Sequence, residues 1–214
     1  MKQLILVLVL IWGAVVSASV DKNLGPSPLL HSDNNLNVGR ISAMALSPTD
    51  ADVMYAGAAD GGIWKTTDGG LNWRFVSQDM STTAIGSLVI DPNDEQVIYA
   101  GTGESNYANH SRYGLGIFKS SDGGESWVLL HASSFKGRSV SQLVIDPNNS
   151  QVMYASVTHA GGFPERVAAK KHPNAYGKLG MFKSTDGGQT WQHLSGLTNF
   201  SVSSFQMHPT NSKN

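Results

Sequence analysis

The chain of 214 residues contains no cysteine, which excludes disulfides, thiolate metal sites and thiol nucleophiles. Charged side chains make up only 14% of it and nearly cancel, to a formal net charge of −1. That balance leaves no electrostatic footprint for nucleic acid, or for an anionic membrane, as the main partner. No stretch carries the apolar spacing of an amphipathic helix. Long hydrophobic runs are missing too, apart from one between Leu4 and Val16. With Lys2 ahead of it and the small residues Val16-Ser17-Ala18 behind, that run reads as a secretory signal peptide over 1–18. It is short for a bilayer span of ~20 residues, so no membrane span is expected once it is removed. The reading predicts an exported protein, secreted or held at the cell surface.

What the chain has in quantity is glycine, 23 residues of it, as suits a turn-dense all-β protein. Six of those glycines fall in one octet that occurs three times: Thr66-Thr67-Asp68-Gly69-Gly70-Leu71-Asn72-Trp73, Ser120 to Trp127, and Ser184 to Trp191. Asp-Gly-Gly is turn chemistry. The carboxylate accepts backbone N–H groups, and the glycines allow positive φ. The closing Trp73, Trp127 and Trp191 offer a large apolar surface to pin each turn onto the sheet behind it. Gly-Ile-Trp-Lys, Gly-Ile-Phe-Lys and Gly-Met-Phe-Lys read as strands entering the turns, so each octet closes a hairpin.

A second pattern precedes each hairpin. Ile41–Pro48, Ile85–Pro92, Val140–Pro147 and Val202–Pro209 share one register, with alternating apolar positions such as Leu88 and Ile90 that suit a half-buried strand. Another strand follows each of the first three: Val53–Ala56, Val97–Ala100 and Val152–Ala155. Four short strands per unit, repeated, is the signature of propeller blades. Blades are expected at 41–78, 85–131 and 140–195, with the start of a fourth at 202–214, after an extended polar lead-in over 19–40. Three blades and one strand cannot close a ring of the usual four to eight. Further blades of a longer chain are therefore expected partners of this one.

The prolines at 48, 92, 147 and 209 set periods of 44, 55 and 62 residues. The growth comes from one loop, between the second and third strands: Gly57–Gly61, Gly101–Leu115 and Ser156–Leu179. In a propeller blade this loop lies on the face opposite the Asp-Gly-Gly turns, beside the connections between blades. Elaborated loops on one face of a repeat scaffold mark the expected binding surface. Candidate ligand contacts there are Arg40, Glu104, Tyr107, His110, Arg112, Tyr113, His159, Arg166, His172 and Tyr176. Mixed aromatic and charged groups suit a glycan or peptide. Asp68, Asp122 and Asp186 recur once per blade on the other face and are read as structural. Asp-Gly-Gly lacks the interleaved oxygen ligands of a calcium loop, so neither metal nor cofactor is expected.

The octets resemble the Asp-box (bacterial neuraminidase, BNR) repeat of β-propellers. Gly39-Arg40-Ile41-Ser42, Ala59-Asp60-Gly61-Gly62 and Gly101-Thr102-Gly103-Glu104 are similar to secreted bacterial members grouped with sortilin/VPS10-like propellers. That resemblance covers roughly 24–214 and implies fold more than activity. Two enzyme types also share it. Arg40 resembles the first substrate-binding arginine of sialidases, and Arg112, Arg138 and Arg166 could complete the set that family uses. Tyr55 to Gly62 resembles the xyloglucanase stretch Tyr-Ala-Arg-Thr-Asp-x-Gly-Gly, whose Asp is catalytic. Here Ala59 stands at that place and Asp60 one residue later. Asp60 and Glu104 are the candidate carboxylates of a glycoside hydrolase; inverting hydrolysis would need them ~6.5–9.5 Å apart. The reading is a module binding an extracellular polysaccharide or protein, with a glycoside hydrolase as the alternative.

Overall fold

The computed structural model describes residues 29–30, 36–37, 40–105, 112–131, 133–160, 177–197 and 200–207. The expected signal peptide, most of the lead-in, and Tyr107, His110, Arg166, His172 and Tyr176 lie outside them. Within the lead-in, β1 (Leu29–Leu30) and β2 (Leu36–Asn37) pair antiparallel.

Three four-stranded antiparallel sheets follow, each in simple sequence order. Blade one is β3 (Ile41–Leu46), β4 (Met54–Ala58), β5 (Gly62–Thr66) and β6 (Arg74–Phe75). Blade two is β7 (Ile85–Asp91), β8 (Asp94–Thr102), β9 (Ile117–Ser120) and β10 (Val128–His131). Blade three is β11 (Arg138–Asp146), β12 (Asn149–His159), β13 (Gly180–Ser184) and β14 (Gln192–His193). The inner strands β3, β7 and β11 pack side by side. The architecture is that of an incomplete β-propeller. Val202–Met207 lies where a fourth inner strand belongs, but it forms no ladder. Ser141 Oγ donates to the Val202 carbonyl at 2.7 Å, and the Phe205 N–H donates to Gln142 Oε1 at 2.9 Å.

The alternation in the inner strands predicts one wet face, and the structure differs. β7 is buried nearly end to end. Leu88 and Ile90 pack with Ala45, Tyr55, Ile63 and Val76 of blade one, while Val89 packs with Leu143, Ile145 and Tyr99 on the other side. A middle blade is sandwiched between two sheets, so both faces are dry; each fully buried aliphatic contributes ~1.5–3 kcal/mol.

Every inner strand also carries a bulge at one place, Ser42, Gly86 and Ser141, where the ladder skips a residue. Blades meet there. Ser42 Oγ donates to the Ile85 carbonyl at 2.5 Å, the same bond that Ser141 makes to Val202 two junctions later. In blade two a Cβ at position 86 would sit 2.3 Å from the Gly103 carbonyl oxygen and 2.6 Å from that of Val140, so only glycine fits. Ser87 supplies the hydroxyl instead, donating to Val140 O at 3.0 Å.

The three octets close β5–β6, β9–β10 and β13–β14 with one bond set. In blade two, Ser120 Oγ donates to Asp122 Oδ1 at 2.7 Å and accepts the Gly124 N–H at 2.8 Å. The Ser126 N–H and Oγ both donate to the Asp122 carboxylate. Thr66, Asp68 and Asn72 repeat this, as do Ser184, Asp186 and Thr190. First glycines sit at φ 67–69° and second ones at 86–90°. The tryptophans divide. Trp73 and Trp191 donate to their own Gly70 and Gly188 carbonyls. Trp127 instead donates to Val76 O of blade one at 2.8 Å and is buried among blade-one residues. It ties two blades together rather than pinning its own turn.

Candidate binding cleft on the loop face

The blade-one loop is short. Ala59 is buried, its N–H donating to the Arg40 carbonyl, and the next residue, Asp60, turns out to solvent. The one-residue offset seen in the sequence thus leaves a buried alanine at that place and an exposed carboxylate just after it, in the turn that follows β4. Gly62 N–H donates to Thr83 O at 2.9 Å, which ties the loop to the connection between blades one and two. Thr83 Oγ1 donates to Asp60 Oδ1 at 2.8 Å. From blade two, Arg112 Nε donates to Asp60 Oδ2 at 3.1 Å. Both partners of this pair are at least half exposed.

Asp60, Ser81, Thr82, Thr83, Arg112 and Tyr113 line an open cleft of 330 Å³ between the two blades. Its wall combines one carboxylate, one guanidinium, three hydroxyl-bearing residues and a half-buried phenol ring. Such a wall can accept and donate hydrogen bonds at several points while an aromatic face covers apolar C–H groups. The Ser81–Thr83 strip carries no motif and was not among the sequence candidates. Its place in an inter-blade connection on this face was the available signal.

Glu104 is the other carboxylate of the candidate pair. It follows Gly103 at φ 94°, is 2% exposed, and forms an ion pair with Arg40 Nη2 from the segment leading into blade one. Its own N–H donates to the Arg112 carbonyl at 2.9 Å. Arg112 therefore touches both residues, holding the Asp60 carboxylate with its side chain and accepting the Glu104 backbone N–H with its carbonyl. Buried and paired, Glu104 holds blades together and does not face the cleft's solvent. Losing the half-exposed Arg40 is costly, because the buried Glu104 carboxylate then keeps neither water nor its cation.

The blade-three loop is clasped at its stem. Arg138 Nε donates to Gly177 O at 2.8 Å, and its Nη1 lies 3.1 Å from His159 Nδ1. Burial, and then the Arg138 charge, push the His159 pKa below its ordinary value. His159 thus stays neutral and accepts from Arg138, with its proton on Nε2. Burial also lowers Arg138. The blade-two loop has its own clasp. Thr102 Oγ1 donates to Gly116 O and accepts the N–H groups of Leu115 and Gly116.

On the far face the aspartates behave differently. Hydrogen bonds from Asn72, Ser126 and Thr190 hold Asp68, Asp122 and Asp186 down at about 2. A larger recess of 420 Å³, lined by residues such as Ile90, Leu143, Pro147, Phe205 and Met207, opens at the proline-turn end. Its lining is mostly apolar, with the Gln142 and Gln206 amides as its polar side chains. Among the described residues no three His, Asp or Glu side chains converge as a metal site. No described helix is long and apolar enough to cross a membrane.

No family model matches the chain, and no curated protein does. Solved structures do. A crystal structure of an ancestral GH74 enzyme aligns over 84% of this chain with TM-score 0.58 and 20% identity. The GH74 enzyme of Niastella koreensis aligns over 71% at TM-score 0.44 and 19% identity, covering 29% of that chain. YCF48 bound to D1 peptide aligns over 72% at TM-score 0.47 and 13% identity, covering 40% of that chain. The chain spans only 20% of the length of the ancestral enzyme. At 20% identity the likeness to the ancestral enzyme is one of fold, and it agrees with the blades described above: this chain is built as an incomplete β-propeller.

Proposed function

We propose that this is an exported Asp-box propeller whose loop face binds an extracellular polysaccharide, with the cleft between blades one and two as a sugar subsite. The observation that carries the reading is the cleft wall. Tyr113 would stack on a sugar face, while Asp60 and the Ser81–Thr83 hydroxyls would take ring hydroxyls. The arginines favour a neutral sugar over a sialoside. Arg40 is engaged with Glu104, Arg112 with Asp60, and Arg138 with Gly177 and His159. A substrate carboxylate would have to displace one of these partners. Further blades of the same polypeptide complete the ring in this reading.

The test is affinity electrophoresis of the protein through gels containing neutral polysaccharides, xyloglucan and mixed-linkage β-glucan among them. Retention that is lost in Tyr113→Ala and Arg112→Ala supports the reading. Retention by none of these polysaccharides, or retention untouched by both substitutions, contradicts it.

Catalysis is the second reading, favoured by the exposed Asp60 carboxylate standing in the cleft. A glycoside hydrolase needs a second carboxylate across the sugar. Glu104 is buried against Arg40, so that partner would come from a blade beyond those described. Release of reducing ends from xyloglucan by the native-length protein, abolished by Asp60→Ala, would establish this reading over simple binding.

A further inference from the structure

Four contacts on the loop face form a closed circuit, in which Arg40 and Arg112 play the same double part. The Arg40 carbonyl accepts the Ala59 N–H at 2.9 Å, while its guanidinium pairs with the Glu104 carboxylate. The Arg112 carbonyl accepts the Glu104 N–H at 2.9 Å, while its guanidinium holds Asp60. Ala59 and Asp60 share a peptide bond, so the path returns to its start: Arg40, Glu104, Arg112, Asp60, Ala59, Arg40. Its two ion pairs both cross between blade one and blade two.

The halves of the circuit differ in burial. Arg112 and Asp60 are 64% and 50% exposed, and an open pair of that kind holds little by itself. Glu104 is 2% exposed, and a carboxylate so enclosed is costly to separate from its cation. The backbone between the two pairs has little slack. A Cβ on Gly103 would sit 2.7 Å from the Gly114 nitrogen and 2.8 Å from the Arg138 carbonyl oxygen. One on Gly114 would sit 2.2 Å from the Thr102 carbonyl oxygen. Glu104 directly follows the first of these wedged glycines, and Arg112 stands just ahead of the second. In so tight a stem a displacement of Glu104 is passed on to Arg112 rather than absorbed. Thr83 Oγ1 fixes the other oxygen of Asp60 at 2.8 Å.

We infer that the buried pair sets the cleft from outside it: Glu104 and Arg40 are positioning residues that hold the Arg112 guanidinium, and through it the Asp60 carboxylate, where a ligand meets them. The inference rests on the reading of that cleft as a sugar subsite. Neither Glu104 nor Arg40 lines the cleft. A guanidinium on a flexible stem otherwise has to be ordered when the sugar binds, and that entropy is subtracted from affinity. Held in advance, it presents a fixed donor beside a fixed acceptor. Glu104 thus carries affinity without touching the ligand.

Exchange of the Arg112 Nε–H with water, followed by proton–nitrogen NMR of the arginine side chains, reads the cleft pair without any ligand. Its cross-peak is the one absent from Arg112→Lys. Asp60→Ala should speed this exchange about three- to tenfold, the worth of one hydrogen bond. Arg40→Ala should speed it at least about threefold, by freeing Glu104 to turn to water, and Arg40→Lys should restore it. Arg40→Ala added to Glu104→Ala should change nothing further, because Arg40 acts through Glu104. Glu125→Gln, which opens the exposed Arg74 pair instead, is the control and should leave the exchange alone. In a xyloglucan affinity gel Arg40→Ala should weaken retention at least about threefold, while Arg40→Lys keeps it. If Arg40→Ala does not fold, Glu104→Gln, which leaves no buried charge, should give a smaller acceleration of the same kind. Unchanged Arg112 exchange in Asp60→Ala or in folded Arg40→Ala overturns the inference, whatever the protein binds. Faster exchange with full retention of Arg40→Ala overturns it too, since the cleft then needs no presetting. Faster exchange in Arg40→Ala, with wild-type protein retained by neither xyloglucan nor mixed-linkage β-glucan, contradicts the sugar reading and leaves the positioning of Arg112 standing.

Discussion

Asp122 and Asp60 are both exposed aspartates in short glycine-containing turns of the same propeller, on opposite faces. Asp122 takes its bonds from Ser120 and Ser126 of its own octet, and Asp68 and Asp186 repeat the arrangement bond for bond. Asp60 takes its bonds from Thr83 and Arg112, 23 and 52 positions away, and this arrangement is not repeated among the described residues of the other blades. Local, repeated bonds build a scaffold that folds the same way in every blade. Distant and singular bonds build one place that differs from all others. Repetition separates architecture from candidate function here more sharply than residue type does.

The largest expected effect falls between the two faces. Phe135, fully buried in the connection before blade three, meets Phe182 and Trp191 edge-on at 5.1 and 5.6 Å. Phe135→Ala should cost ~3–5 kcal/mol in urea unfolding, by emptying a site packed on all sides. Gly86→Ala should follow, at ~1–3 kcal/mol, because a Cβ there meets two carbonyl oxygens. A mild effect from that substitution would mean the inner-strand bulge can relax and is not a fixed part of the junction.

Tyr55 and Tyr99 each donate from one blade to the next, to the Gly123 and Gly187 carbonyls at 2.8 and 3.2 Å, and they allow a finer contrast. Burial holds both Tyr55 and Tyr99 up at about 12. Tyr99→Phe should cost ~1 kcal/mol in thermal or urea unfolding, the ordinary worth of one hydrogen bond. Tyr154→Phe, whose ring also lies beneath a lysine ammonium but whose hydroxyl meets no Asp-Gly-Gly turn among the described residues, should cost nothing measurable in the 214-residue chain. Equal costs for the two would mean that the Tyr99 hydroxyl bond to the next blade adds no stability.

Acid titration distinguishes the faces again. The octet aspartates are held at about 2, below the ~4 of an unfolded aspartate. Their stabilising contribution is therefore complete above pH ~4 and is lost as the pH falls from ~4 towards ~2. Thermal melts across that window should show a falling melting temperature, with a shallower slope in Asp122→Ala. The effect is small, because these carboxylates are exposed and water screens them. Smallest of all should be the stability change from Arg112→Ala, whose ion pair is open to solvent.

The sequence discloses the scaffold because its rules are local. Asp, two glycines and a hydroxyl within one octet suffice to make each turn, and a two-residue alternation suffices to make each strand. The junctions were less legible. Trp127 has the same octet neighbours as Trp73 and Trp191, yet it reaches Val76, and nothing within the octet says so. The bulge at Ser42, Gly86 and Ser141 leaves the spacing of apolar residues intact, so the pattern hides it. The candidate cleft was legible in half. Loop lengths pointed to the face, and Asp60, Arg112 and Tyr113 were found as candidates. The crossing of Arg112 to Asp60, and of Arg40 to Glu104, depends on blades being neighbours in space. Spacing along a chain does not carry that information.

The claim that scaffold and binding are segregated to opposite faces has one direct test, a paired measurement on Asp122→Ala and Arg112→Ala. Each variant is scored for melting temperature and for retention in a xyloglucan affinity gel. The account predicts that Asp122→Ala lowers the melting temperature and keeps retention, whereas Arg112→Ala keeps the melting temperature and loses retention. Two variants that lose stability and retention together, or an Asp122→Ala protein that loses retention while fully folded, would contradict it.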